Sequence, residues 1–272
     1  MMRTSKKTKT VFNIILGIFG ILWISPMFFV LLNTFKTKRE YNIGSLWLMP
    51  EGNHFAENVR TLMSNRVLAS MGVTFLYAFF GALFAVAISM LAAYGLTKLR
   101  IGHRFFWFIV IYSGTIFPFQ VYLIPIFKAY QNTGLYNTRT GMILFYTAIA
   151  IPYAMFVLRN FFLGIDSEIC EAARIDGASE FQILTRIFLP MATAPLSIVF
   201  LSQFTWIWND LMFGLTFTKS AETRPIMASL SIMGTGNAPA LFIACLASSL
   251  PTLILFFILN RNFQTGFAYV AK

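Results

Sequence analysis

Apolar residues run through this chain in six long blocks, at 11–32, 71–94, 105–127, 142–158, 192–217 and 241–259. Each block is continuously apolar, whereas a β-barrel strand alternates over about ten residues. A helix needs about 20 apolar residues to cross a bilayer and tolerates roughly 17 to 25. Backbone polar groups in lipid must bond within their own segment, so blocks of this kind are helices. The pattern predicts an all-α membrane protein with six transmembrane helices, occupying residues 1–272 as one transmembrane domain. The first block follows Arg3, Lys6, Lys7 and Lys9 in the manner of a signal peptide. It is longer than a signal h-region and no small-x-small site follows, so it reads as a retained helix.

Composition agrees: the 272 residues are 57% hydrophobic and only 11% charged, where soluble domains carry about 25% charge. The net charge of +11 is spread between the blocks and forms no basic face for nucleic acid. Lys98, Arg100, Arg104, Arg159, Arg174 and Arg186 fall on the same side as the basic N-terminus, together with Arg261 and Lys272. Positive-inside bias therefore puts both termini in the cytoplasm. In the second block Gly81, Ala85, Ser89 and Ala93 recur every four residues, a small-residue stripe that lets another helix approach closely. Cys170 and Cys245 stand in unlike settings, which argues against a disulfide.

Between the fourth and fifth blocks, residues 163–190 are too patterned for a linker. Asp166 or Ser167 can cap a short helix that carries Glu168 and Glu171 in its first turns. Ile169, Ala172, Ala173 and Ile175 give that helix an apolar side. Gly177 supplies a left-handed terminator, and Ser179-x-x-Gln182 is a capping box for a second helix leading to Pro190. From Glu168 to Asp176 such a helix spans about 13 Å, a compact knob. It suits insertion into a cleft on another protein, although on general grounds an amphipathic loop resting on lipid headgroups is the commoner explanation.

Glu171-Ala172-Ala173, followed by Asp176-Gly177-Ala178-Ser179, Ile187, Leu189-Pro190 and Pro195, resembles the EAA loop of ABC importer permeases. Asn33-Thr34-Phe35-Lys36, Ala92-Ala93-Tyr94-Gly95-Leu96, Pro118-x-Gln120 and Trp208-Asn209-Asp210 are similar to the maltose-type carbohydrate subfamily of those permeases. The subfamily commonly has Glu where Asp210 stands. The resemblance implies that Glu171, Ala172, Ala173, Arg174, Asp176, Gly177, Ala178 and Ser179 form a cytoplasmic coupling helix that docks into an ATPase. It also implies a second permease subunit, two ABC ATPase subunits holding ATP and Mg²⁺, and an extracytoplasmic solute-binding protein, at a bacterial cytoplasmic membrane.

No G-x-x-x-x-G-K-[ST] phosphate loop and no H-E-x-x-H site occurs in the chain, and His54 and His103 stand isolated. The chain therefore offers no catalytic constellation, metal site or cofactor site of its own. Gln120, Tyr153, Gln203, Trp206 and Asn209 are the candidates for a solute pathway, since aromatic platforms with neutral hydrogen-bonding groups suit a sugar. For Asn209 and Asp210 a structural hydrogen bond, to each other or to a neighbouring helix, is favoured over solute contact, and a carboxylate facing lipid is costly. The turn-rich stretch 219–238 reads either as a solvated connector or as a surface for the binding protein. An ABC permease for a non-sugar solute and an ion-coupled carrier are the alternative functions. The carrier would favour paired ionisable groups or broken inverted repeats at the midplane.

Overall fold

In a computed structural model, which describes residues 6–64 and 66–270, every regular element is helical. Of the basic residues behind the expectation for the termini, Arg3 and Lys272 lie outside the described residues. Four helices are long and apolar enough to cross a membrane. They are α1 (Lys6–Asn33), α4 (Val67–Lys98), α7 (Arg139–Leu163) and α14 (Ala238–Val270), the last over Ala238–Asn260. Two bent helix pairs are also long and apolar enough when taken together, which brings the number to six if each pair is one span.

The block at 105–127 is not one helix. It forms α5 (Arg104–Tyr112), a 3₁₀ turn (Ser113–Thr115) and α6 (Phe119–Thr133), bent by 90°. Pro118 is the cause: it has no N–H to donate and steers Phe117 away from helical backbone. The block at 192–217 is likewise divided into α11 (Thr193–Trp208) and α12 (Met212–Phe217), with Asn209 to Leu211 between them. At its other end α11 bends by 77°, at Ala192, from the segment Glu180–Met191. That segment comprises α9 (Glu180–Ile183), one π turn (Leu184–Phe188) and α10 (Leu189–Met191).

The chain divides into two compact units, residues 1–67 with 232–248, and residues 68–231 with 249–272. In the first unit the Asn33–Lys36 motif is a polar knot at the end of α1. Asn33 Nδ2 donates to the Phe29 carbonyl (2.7 Å) and the Leu46 carbonyl (3.1 Å), and buried Lys36 Nζ donates to the Ser45 carbonyl (3.1 Å). Asn58, from α3 (Phe55–Ser64), donates in turn to the Thr34 and Lys36 carbonyls at 3.0 and 2.9 Å. Beside the knot, Thr37 and Glu40 form a capping box on α2 (Lys38–Ile43). The N–H groups of Thr37 and Glu51 hold the Glu40 carboxyl down to about 2.

In the second unit the small-residue stripe of α4 lies against α7. Ala85, Ser89 and Ala93 are fully buried, and Ser89 Oγ donates to the Ile151 carbonyl at 3.1 Å. The stretch 219–238 is less of a connector than its turn residues suggest, because it contains α13 (Ile226–Met233). Asn137 Oδ1 anchors it by accepting from the backbone N–H groups of Lys219 (2.7 Å) and Ser220 (2.9 Å). Thr74 Oγ1 then accepts from the Ile226 N–H at 2.7 Å, and Ser70 and Ser229 share a hydroxyl bond of 2.8 Å.

A Cβ at Gly81 would lie 3.0 Å from Tyr146 Cβ and 3.1 Å from Ile207 Cδ1, whereas one at Gly72 would meet nothing within 4 Å. Overpacking of this kind costs about 1–3 kcal/mol. Gly81→Leu is therefore expected to lower the thermal unfolding midpoint of the detergent-solubilised protein, and Gly72→Ala to leave it unchanged or raised. Equal midpoints for the two variants would show that the α4 stripe is not closely packed.

Candidate functional site: a capped elbow

Helix α8 (Ser167–Ile175) and α9 make a sharp corner, and every residue of the corner has a local reason for its conformation. Gly177 is left-handed (φ +81°), its N–H donates to the Arg174 carbonyl, and the Ala178 N–H donates to the Ala173 carbonyl, both at 3.0 Å. Those two bonds are a Schellman termination, in which the paired small residues Ala173 and Ala178 supply the usual apolar contact. Both alanines pack on the core cluster beneath. Two residues on, Ser179 Oγ accepts from the Gln182 N–H and Gln182 Oε1 accepts from the Ser179 N–H, closing the capping box. Asp166 occupies the N-cap of α8, yet its side chain makes no cap hydrogen bond.

The apolar side of α8 differs from the sequence expectation. Cys170, 1% exposed, is the residue that points inward, among Tyr94, Phe162, Ile183 and Phe188 of the core cluster. Ile169 lies outside and Ile175 is 86% exposed. A nine-residue helix has too few turns for its apolar positions to define one face, and a cysteine buries readily as a small hydrophobe. Glu171, Ala172, Arg174, Asp176 and Gly177 are exposed, while Ala173 and Ala178 are half-buried. The elbow thus offers an outer surface of small and charged residues around the protruding Ile175, with Phe181 (70%) and Ile169 also exposed.

Contacts that hold the elbow come from residues far away in sequence. Lys98, buried at the end of α4, donates from Nζ to the Ile165 carbonyl at 2.5 Å and lies 5.8 Å from the Phe188 ring centroid. Arg174 donates to Glu180 Oε1 through Nε (2.7 Å) and to the Lys98 carbonyl through Nη2 (3.2 Å). Tyr94 Oη donates to the other oxygen of Glu180 at 2.6 Å. The Arg174 guanidinium, and then the Tyr94 hydroxyl, hold the Glu180 carboxyl below the usual carboxylate range. Burial raises the Cys170 thiol. Sequence reading missed Lys98 and Glu180, and it saw Tyr94 only as part of a motif.

The five pathway candidates are scattered in exposure, and among the described residues no hydrogen bond joins any two of them. Gln120 is exposed one residue beyond Phe119, whose ring lies 5.7 Å from that of Trp206. Trp206 also meets Tyr146 at 6.4 Å and Phe213 at 6.3 Å. Gln203 is 6% exposed and Tyr153 42% exposed. Asn209 faces outward and donates to the Thr205 carbonyl at 2.8 Å. Asp210 does not pair with Asn209. It accepts from Tyr146 Oη of α7 at 2.8 Å and from the N–H groups of Phe213 and Gly214 at 3.1 and 3.0 Å. Its hydrogen bonds are structural, tying α7 to the first turn of α12.

No group of three or more His, Cys, Asp or Glu able to hold a metal occurs among the described residues. The structure is thus that of a helical membrane protein with a capped elbow outside its long apolar helices. Residues 85–269 match the binding-protein-dependent transport system inner membrane component family, and the chain belongs to it. A probable ABC transporter permease protein of Pyrococcus horikoshii is 36% identical over 157 residues, 57% of each chain. The diacetylchitobiose uptake system permease protein NgcG of Streptomyces coelicolor is 27% identical over 95% of this chain and 87% of its own. A solved bacterial ABC transporter that imports the acidic polysaccharide alginate has a chain of the same fold. Its TM-score is 0.79 at 23% identity, with 97% of this chain and 99% of that one covered.

Two outcomes follow from the polar contacts. Asp210→Ala strands the Tyr146 hydroxyl and two backbone N–H groups, so it should cost about 1–3 kcal/mol of stability, with Asp210→Asn costing less; thermal unfolding of the purified protein reads both. Glu180 has a lowered folded pKa, so its stabilisation is complete above the unfolded value of about 4.3 and is lost only as pH falls through the folded value. Amide hydrogen exchange in the elbow should stay constant from pH 7 to about 4.3, after correction for intrinsic rates, and accelerate below it. Acceleration between pH 7 and 5 would contradict the pairing.

Proposed function

We propose that this chain is a permease subunit of an ATP-driven ABC importer, carrying a sugar or oligosaccharide delivered by an extracytoplasmic binding protein across the bacterial cytoplasmic membrane. The observation that carries the coupling half of this reading is the elbow itself. A capped, positive-φ corner with an exposed Ile175 has no use for that side chain within its own chain. An isoleucine held outward on a rigid corner fits a socket on a partner better than solvent. The partner is an ABC ATPase, of which two copies hold ATP and Mg²⁺, and a second permease completes the pathway. Both termini lie on the cytoplasmic side with the elbow.

On this reading Glu171, Ala172, Ala173, Arg174, Asp176, Gly177, Ala178 and Ser179 transmit closure of the ATPases to the helices. Two packings of the bundle then open in turn to the two sides of the membrane, each stabilised by its own contacts. Support for a carbohydrate comes from the diacetylchitobiose permease, whose similarity runs over most of both chains. Trp206 in its aromatic cluster, with Gln120, Tyr153, Gln203 and Asn209 as hydrogen-bonding groups, is the proposed contribution of this chain to solute passage.

Reconstitution in vesicles with the co-purifying subunits tests the reading. Solute uptake should require both ATP and the binding protein, and uptake driven by an ion gradient alone would overturn it. Gly177→Val should disrupt coupling and lower ATP-dependent uptake about tenfold while membrane insertion persists, because the left-handed backbone costs a β-branched residue about 1–2 kcal/mol. The space around Gly177 is open, so the effect is conformational and not steric. Gly177→Asn, which tolerates that backbone, should retain part of the uptake.

A further inference from the structure

The elbow is joined through the backbone to α7 on one side and to α11 on the other, yet its polar contacts reach a third helix. Glu180 lies between Arg174 of α8 and Tyr94 of α4: Oε1 accepts from Arg174 Nε at 2.7 Å, and Oε2 accepts from Tyr94 Oη at 2.6 Å and from Arg174 Nη2 at 3.3 Å. Arg174 also reaches the Lys98 carbonyl, and the Lys98 ammonium returns to the Ile165 carbonyl just ahead of α8. The Tyr94 ring packs edge-on against Phe188 at 5.1 Å, and Phe188 meets Phe162 at 5.2 Å. These contacts close a ring of interactions: α4, the start of the elbow, its corner, the π turn, and α4 again. Beneath it sits Cys170, buried and free.

We propose that Tyr94, Lys98 and Glu180 are positioning residues forming a clamp that makes the coupling elbow and α4 move as one body, so that a push on the elbow drives α4 directly. Glu180 is the shared acceptor, and it also neutralises Arg174 at the corner. Without the clamp, motion at the elbow would pass through its two chain connections, one of which bends at Ala192, and through apolar packing on α4 that carries no directional bond. With it, the displacement enters α4, whose small-residue stripe is packed on α7 along the unit. The clamp residues touch neither solute nor nucleotide; they act through the elbow. The inference rests on the docking role proposed above, but its test reads a different event.

Cys170 reports that event. In a Cys245→Ser background, which removes the exposed second thiol, maleimide modification of Cys170 in the nucleotide-free assembly measures lifting of the elbow from α4. Tyr94→Phe removes the hydroxyl and keeps the ring on Phe188. Losing a hydrogen bond to a charged acceptor should raise Cys170 modification about tenfold, while the ATPase subunits still co-purify, and should lower solute imported per ATP hydrolysed. Glu180→Gln, which keeps an oxygen acceptor for Tyr94 but loses the negative charge that faces Arg174, should move both readouts the same way by less. Unchanged Cys170 reactivity in both variants overturns the clamp, as does faster modification with full solute per ATP. If the parent protein never retains an ATPase subunit, the docking role fails on that ground, and Cys170 reactivity still decides whether the clamp exists.

Discussion

The constraint behind this structure is that a chain in lipid has no water to complete its backbone hydrogen bonds. Long helices satisfy it automatically, so the informative places are those where helices stop. At the break between α11 and α12, the Asp210 carboxylate receives two backbone N–H groups and the Tyr146 hydroxyl. At the end of α1, Asn33 and Lys36 take up the Phe29, Ser45 and Leu46 carbonyls. At the elbow, a Schellman termination and a capping box meet within a few residues. In each case a polar side chain close to the break does what the missing helical turn would have done. Motifs that a family comparison would record as mere signatures therefore have mechanical reasons.

How far the chain could be read from sequence follows from the range of its interactions. The apolar blocks, the corner at Gly177 and the Ser179–Gln182 box were legible because each depends on residues a few positions apart. Pro118 was visible too, but its effect was not, since proline inside a helix can be tolerated, as Pro152 is within α7. The clamp was illegible: Tyr94 and Glu180 are 86 residues apart and Lys98 and Ile165 are 67 apart. No local pattern distinguishes such a lysine from a topology marker. The inward face of α8 was misread for a different reason. Tertiary contacts with Phe162 and Phe188 selected Cys170 over two isoleucines of greater intrinsic hydrophobicity.

Exposure of Ile175 and burial of Cys170 are two consequences of one arrangement. Turning α8 to bury Ile175 would put Cys170 outward and carry Arg174 away from both Glu180 and the Lys98 carbonyl. The charged network therefore fixes the rotation of the elbow helix, and the apolar residue left outside becomes available to another protein. Arg174 suits this task better than lysine, because one guanidinium reaches two acceptors in fixed directions. An exposed ion pair by itself contributes little stability. Its value here is angular, and the hydrogen bond from Tyr94 adds a third point that keeps Glu180 from following Arg174 into solvent.

Rigid elements convert a local push into a large displacement only if flexible points lie between them, and hinges are commonly a few residues at element ends. Within the second unit those points are few and well marked: the 90° bend around Pro118, the 77° bend at Ala192 and the break from Asn209 to Leu211. Between them lie segments stiffened in distinct ways. The contact of α4 with α7 is close because Gly81, Ala85, Ser89 and Ala93 bring backbones together, and close packing favours discrete rearrangement over gradual deformation. Asp210 stiffens the junction of α7 with α12, so motion there cannot be shared evenly along the chain. A load entering at the elbow would therefore be relieved at Ala192 first, since Leu189 to Met191 form a single short turn before it. By joining the elbow to α4 on the near side of that bend, the clamp sends the load into the packed pair before the bend can absorb it.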